Sequence, residues 1–156
     1  MPGYHLAQFN VGTLTFPLDD PRTAGFTELL EPLNALADGA PGFVWRLVEN
    51  GAADATGLRP IGADVIINYS VWESREALWD YMYRSRHLDV LRRRREWFGK
   101  HVQAHLVMWW IPAGHIPTLQ EGVERLETLR AQGPSPRAFT FRETYTPDGA
   151  PAPAPS

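Results

Sequence analysis

The spacing of apolar and polar positions changes several times along the chain, and each change marks an element. Tyr4 to Val11 has β character and stops at Gly12. Asp19-Asp20-Pro21 makes a turn and a helix start, with proline in the first turn where its missing N–H costs nothing. Phe26, Leu29, Leu30, Leu33, Leu36 and Ala37 then recur at helical spacing. Pro32 falls inside that run and predicts a kink, because it lacks a donor and crowds the carbonyl four residues back. Gly39 and Pro41-Gly42 end the helix. Phe43 to Val48 reads as a strand, and Glu49 to Gly62, rich in Gly, Ala, Asn and Asp, as an exposed loop. Asp64 to Trp72 is dense in β-branched and aromatic residues and predicts a further strand. Ser74 caps a helix with Glu76 in its first turn, and the helical pattern continues to about Gly99 with a break near Ser85-Arg86. His105 to Ile111 is a strand, Pro112-Ala113-Gly114 a turn, and Thr118 caps a last helix carrying Val123, Leu126 and Leu129 before Gly133-Pro134 stops it. Ala138 to Arg142 reads as a short strand, and the Pro/Ala-rich stretch from Thr146 to Ser156 as a disordered tail.

This order, β-α-β-β-α-β followed by a helix and a strand, defines an α+β chain. It is the ferredoxin-like split βαβ arrangement with a mainly antiparallel sheet, in one domain over residues 1–145 with a tail at 146–156. Strand side chains alternate between faces. One set, Ala7, Phe9, Phe43, Trp45, Leu47, Val65, Ile67, Tyr69, Val71, Leu106, Met108 and Trp110, is apolar and is expected beneath the helices. The other holds Gln8, Asn10, Val44, Arg46, Val48, Ile66, Asn68, Ser70, Trp72, His105, Val107 and Trp109. A solvent-washed face would carry Lys and Glu, so this second set suggests a partly polar cavity or a buried interface. Two such sheets face to face would enclose a pocket, which predicts a homodimer, a dimeric α+β barrel. The alternative is a monomer whose second face is capped by the C-terminal helix.

Composition narrows the picture. At 156 residues one domain is expected, and a formal net charge of −3 gives no basic field for nucleic acid or anionic membrane. Cysteine is absent, which removes disulfides, thiolate ligands and a Cys nucleophile. Met1 to Phe9 has no basic segment followed by an apolar one, and no apolar run approaches the ~20 residues of a membrane helix, so a cytoplasmic protein is expected. Six Trp, five Tyr and seven Phe fit either a well-filled core or a flat cavity for a conjugated ligand.

Candidate chemistry is sparse. Of Arg92-Arg93-Arg94-Arg95, Arg95 lies in helical line with Leu88, Leu91 and Phe98 and is the candidate to face inward, where it could hold a carboxylate, phenolate or phosphate. The alternative is that the run is a solvated helix face with local pairs to Asp89 or Glu96. His101 and His105 are four apart, but His105 opens a strand where four residues span ~13 Å, too far for one ion, so no metal site is expected. His87, beside Tyr83 and Arg84 at the helix break, is better placed as an acid/base or ligand-contacting group, the alternative being a hydrogen-bonded structural histidine. No nucleophile elbow, phosphate loop or dinucleotide fingerprint occurs.

Gln8-Phe9-Asn10, Pro41 to Arg46, Ser70 to Ser74, Tyr83-Arg84-Ser85, Arg92 to Phe98 and Trp109 to His115 together resemble domain of unknown function family 3291, over nearly all of Tyr4 to Arg142. More distantly, the layout is similar to the dimeric α+β barrel superfamily. That group includes cofactor-independent monooxygenases of antibiotic biosynthesis, haem-degrading monooxygenases, chlorite dismutases and aldoxime dehydratases. Trp72-Glu73-Ser74 opening a helix and Asn10 on the first strand match features of the monooxygenases. The haem-degrading enzymes carry a helix Trp, here near Trp79 or Tyr81, and an iron-ligating His, here near Leu91 or Arg92. His87 lies one turn early.

The resemblance implies a cofactor-independent monooxygenase, or a related oxidative or cyclising enzyme, acting on an aromatic small molecule. His87 would be the base and Asn10 a catalytic amide. Asn10, Asn68 and Ser70 would bind oxygens, Arg46 or Arg95 would stabilise charge, Trp72 and Trp109 would stack on rings, and Tyr83 and Arg84 would contact substrate. The alternatives are a haem protein with His87 or His105 as axial ligand and a non-catalytic small-molecule-binding dimer.

Overall fold

The computed structural model describes residues 3–48, 55–100 and 103–152. Strand β1 (Tyr4–Thr13) is followed by a short 3-10 turn, Pro21–Thr23, and helix α1 (Ala24–Asp38). Strands β2 (Phe43–Arg46) and β3 (Val65–Trp72) come next, then helices α2 (Arg75–Tyr83) and α3 (His87–Arg93), a 3-10 turn at Arg94–Glu96 and strand β4 (Leu106–Pro112). Helix α4 (Leu119–Gln132) and two short strands, β5 (Thr144–Tyr145) and β6 (Pro151–Ala152), complete the described chain.

The local signals act where they stand. Ser74 Oγ accepts from the Ala77 N–H and Thr118 Oγ1 from the Glu121 N–H, both at 3.1 Å, so each helix start has a donor satisfied. Gly133, at φ 76°, closes α4 in the left-handed region where glycine has no Cβ penalty. The expected break appears between α2 and α3, at 84–86. Helix α1 runs through Pro32 and ends at Asp38, just before Gly39.

The four long strands form an antiparallel sheet in the order β2-β3-β1-β4. Register decides which residues share a face. Ala7 lies opposite Val71 and Trp109, and Phe9 opposite Tyr69 and Val107. One face therefore carries Ala7, Phe9, Val11, Ile67, Tyr69, Val71, Val107, Trp109 and Ile111, and α4 packs on it through Leu126 and Leu129. The contact is close: a Cβ at Gly122 would lie 2.8 Å from Phe9 Cδ1.

The other face carries Gln8, Asn10, Asn68, Ser70, Trp72 and Met108, and it lies beneath α1, α2 and α3. Trp72, Leu6 and Met108 pack there with Ala37, Leu78 and Met82, while Ile66 packs with Phe26, Val90 and Trp97.

Two expectations are corrected. Leu106, Met108 and Trp110 do not share the Ala7 face; Val107 and Trp109 do. Every residue from Leu106 to Ile111 is apolar, so alternation within β4 carries no phase, and only pairing with β1 supplies it. The layers are also exchanged. The face with the amides lies under three helices, and the wholly apolar face lies under α4, so one chain covers both sides of its own sheet.

At the β4 edge, Ala138 to Arg142 contributes a single bridge rather than a strand: Phe139 exchanges hydrogen bonds of 2.8 and 2.9 Å with Met108. Thr146 to Ala152, expected as disordered tail, turns back so that Thr144 pairs with Ala152 and Tyr145 with Pro151. Most of the predicted 49–62 loop lies outside the described residues, but Ala55 within it is buried against the α4-side core. No helix among the described residues is long and apolar enough to cross a membrane.

Candidate functional site

A cavity of about 300 Å³ opens between the amide-bearing sheet face and the helices α1 and α3. Its floor includes Asn10 and Gly12 on β1 and Ile66 and Asn68 on β3. Phe26, Leu30 and Leu33 on α1 form one wall, and His87, Val90 and Leu91 on α3 another. Arg94, Arg95, Phe98 and Lys100, on the segment that leads from α3 towards β4, line it beyond that wall. Mostly apolar walls with a few polar groups are the usual composition of a small-ligand site.

The floor is set by a polar network in which Gln8 and Ser70 are buried, Asn10 is half-buried and Asn68 is exposed. Gln8 Nε2 donates to Asn68 Oδ1 and to Ser70 Oγ, each at 2.7 Å, and Gln8 Oε1 accepts from Asn10 Nδ2 at 2.8 Å. Ser70 Oγ also accepts from Trp72 Nε1 at 2.9 Å. Asn68 Nδ2 makes no hydrogen bond among the described residues, which leaves a donor at the cavity floor.

His87 is the titratable group in the apolar part. Its ring lies 4.9 Å from that of Tyr81, and Nδ1 is buried with no hydrogen-bond partner among the described residues. Burial pushes its pKa below the ordinary histidine value, against an opposing hydrogen bond to the Met82 backbone, so the neutral imidazole prevails at neutral pH. Its backbone N–H is held by Ser85 Oγ at 3.2 Å. Tyr81, also lining the cavity, donates to the Leu33 carbonyl at 3.0 Å and is pushed up to about 12, chiefly by burial.

Of the residues singled out in the sequence, His87, Asn10, Asn68, Arg46 and Arg95 meet at this cavity. Arg46 is already bidentate to Asp38, at 2.8 and 3.3 Å. Ser70 and Trp72 stand behind the floor, both buried, and act on it through the network.

Three of the expected residues lie away from this cavity. Trp109 lies on the opposite face under α4, where Nε1 donates to Glu121 Oε2 at 2.9 Å, so it cannot stack on a ligand here. Tyr83 packs against Trp79, centroids 4.3 Å apart, and against Phe141, away from the cavity. Arg84 is exposed beside Asp80, 3.5 Å away. The sequence reading missed Arg94, Lys100, Asn34 and Tyr81. Helical phase had selected Arg95 alone, but the chain tightens into a 3-10 turn at Arg94, which brings two successive arginines to the rim. Arg93 is used structurally: it pairs with Glu96 at 2.9 Å and lies 4.8 Å over the Trp97 ring. His105 lines the cavity, while His101 lies outside the described residues. No three His, Asp or Glu side chains gather as a metal cluster among the described residues.

A mixed α+β chain with an open cavity between sheet and helices is the class defined by this geometry. The chain belongs to a family known only as a domain of unknown function, DUF3291, whose family model matches residues 5–154. No curated protein matches it. Among solved structures, a protein of unknown function from Nitrosomonas europaea is similar at 10% identity and a TM-score of 0.46, covering 74% of this chain and 96% of that one.

Proposed function

We propose that this protein binds a flat, largely apolar small molecule in the cavity between the sheet and α1/α3, and that His87 accepts a proton from it. The observation that carries this reading is the half-buried His87 ring in the cavity wall, its Nδ1 unpartnered among the described residues, in the same cavity as Asn10 and Asn68. A base with a depressed pKa in an apolar site is available at neutral pH and loses little solvation on use. The Asn68 amide donor would stabilise the oxygen on which negative charge develops.

The reaction class we assign is cofactor-independent oxygenation of an electron-rich aromatic. His87 takes a proton from an activated C–H or phenolic O–H, and the anion reacts with dioxygen. Conversion of a CH2 to a carbonyl leaves one oxygen atom in the product and the other in water. The substrate supplies all four electrons, so no external reductant is required. The strand order supports a ferredoxin-like reading of the domain. Helix α4 covers the sheet face that a second copy would meet in a two-chain barrel, so this site draws its described lining from one chain.

Haem is the second reading, favoured by the same unpartnered ring nitrogen of His87. A cavity of about 300 Å³ lies at the lower end for small-ligand sites and suits two or three fused rings better than a tetrapyrrole.

The test is dioxygen uptake over a panel of dihydroxynaphthalenes and anthrones, with binding measured separately by calorimetry. His87→Ala is expected to retain binding and lose uptake. Uptake unchanged in His87→Ala removes the base role, and binding without uptake by any compound leaves a carrier. A sharp Soret band on haem titration that His87→Ala abolishes would reassign the ring to iron.

A further inference from the structure

The charges around this cavity are one-sided. Arg46, Arg94, Arg95 and Lys100 line it, and no Asp or Glu does so among the described residues. The chain as a whole has more acids than bases, 18 against 15, so an acid-free lining with three cations besides Arg46 is a local departure. Nearby arginines are neutralised: Arg46 by Asp38, Arg84 by Asp80 and Arg93 by Glu96. Arg94, Arg95 and Lys100 make no ion pair among the described residues.

We propose that the ligand is an anion with an aromatic or branched apolar body, an organic carboxylate, whose charged end is held by Arg94, Arg95 and Lys100. This rests on the cavity being a ligand site, as argued above, and adds the chemical class of the ligand.

The physical argument has three parts. Clustered cations repel one another, and their field is offset when an anion sits between them. Guanidinium groups match a carboxylate through two parallel N–H donors, which a water shell does not reproduce. The walls formed by Phe26, Leu30, Leu33 and Val90 present no polar partner for a charge, so the anionic end belongs at the rim and the apolar body inside. That orientation directs the body of the ligand towards His87.

The test uses 2-naphthoate and its uncharged amide, two probes with the same ring system, titrated calorimetrically at low and high salt. Naphthoate is expected to bind at least about tenfold more tightly than the amide at low salt, with the difference shrinking as salt rises. The double variant Arg94→Gln/Arg95→Gln is expected to bring the two probes to equal affinity, and Lys100→Gln to reduce the gap. Arg92→Gln, which removes an exposed charge outside the cavity lining, is expected to leave the preference intact. Equal binding of both probes by the native protein overturns the anion assignment while leaving the cavity as a binding site. A preference that survives in the double variant overturns the role of these arginines. Failure of both probes to bind overturns the ligand-site reading and this assignment with it. Because acid and amide are first compared on the native chain, the result does not depend on any variant folding.

Discussion

Gln8 and Ser70 face each other across the β1–β3 pair, and the Gln8 amide donates to the Ser70 hydroxyl oxygen at 2.7 Å while both side chains are buried. The same glutamine donates to Asn68 and accepts from Asn10, and Ser70 also accepts from the Trp72 indole. One buried side chain thus orients both amides at the cavity floor.

Gln8→Leu should therefore do two things. It should destabilise the fold by about 1–3 kcal/mol, because the Asn10 amide and the buried Ser70 hydroxyl each lose the Gln8 bond. It should also weaken ligand binding by releasing the Asn10 and Asn68 amides. Urea unfolding and calorimetry measure the two effects. A variant as stable as the native protein would mean that the network contributes no net stability.

His87 has a pH consequence. Burial lowers its pKa in the folded state, so between that value and the unfolded value of about 6.5 the unfolded chain binds more protons. Stability should be fully present above about pH 6.5 and fall as pH drops through the window below it. His87→Gln removes this contribution, so its thermal midpoint should fall less than that of the native protein between pH 7 and pH 5. Parallel pH profiles for the two proteins would show that the ring is not buried as a neutral base.

Gly122→Ala sets two effects of opposite sign against each other. Alanine favours a helix interior by about 1 kcal/mol over glycine. The added Cβ, however, would meet Phe9 Cδ1 at 2.8 Å and Tyr69 Cε2 at 3.0 Å, which forces α4 off the sheet. Overpacking typically costs about 1–3 kcal/mol, so net destabilisation is expected. A raised urea midpoint would show that α4 can move outward without loss.

Gly12→Ala acts on the cavity more than on the fold. Its Cβ would lie 2.8 and 2.9 Å from Phe98 ring atoms, and that ring packs edge-on against Phe26 with centroids 5.0 Å apart. The half-buried Phe98 ring can swing into the cavity, so naphthoate affinity should fall by about tenfold or more while stability changes by less than ~1.5 kcal/mol. Unchanged affinity would place the ligand elsewhere.

Much of the element order was legible because its causes are local. Ser74 and Thr118 cap helices through bonds spanning three residues, Gly133 needs only its own φ, and the break at Ser85-Arg86 follows from chain chemistry in one turn. His87 was identifiable from its place at the helix break, and Asn10 and Asn68 from their alternation onto the polar strand face. The placement of Tyr83 and Trp109 was not, because it depends on Phe141 and Glu121, 58 and 12 residues away in order.

What the sequence by itself determined is a mixed α+β chain, its strand and helix order, its main caps and the residue types available for chemistry. What only the tertiary structure decided is which sheet face meets which helices, the phase of the wholly apolar β4, and which arginines reach the cavity. Side-chain alternation defines two faces for each strand, but strand pairing alone says which faces are shared, and the helix that covers a face is selected by packing between segments far apart in the chain.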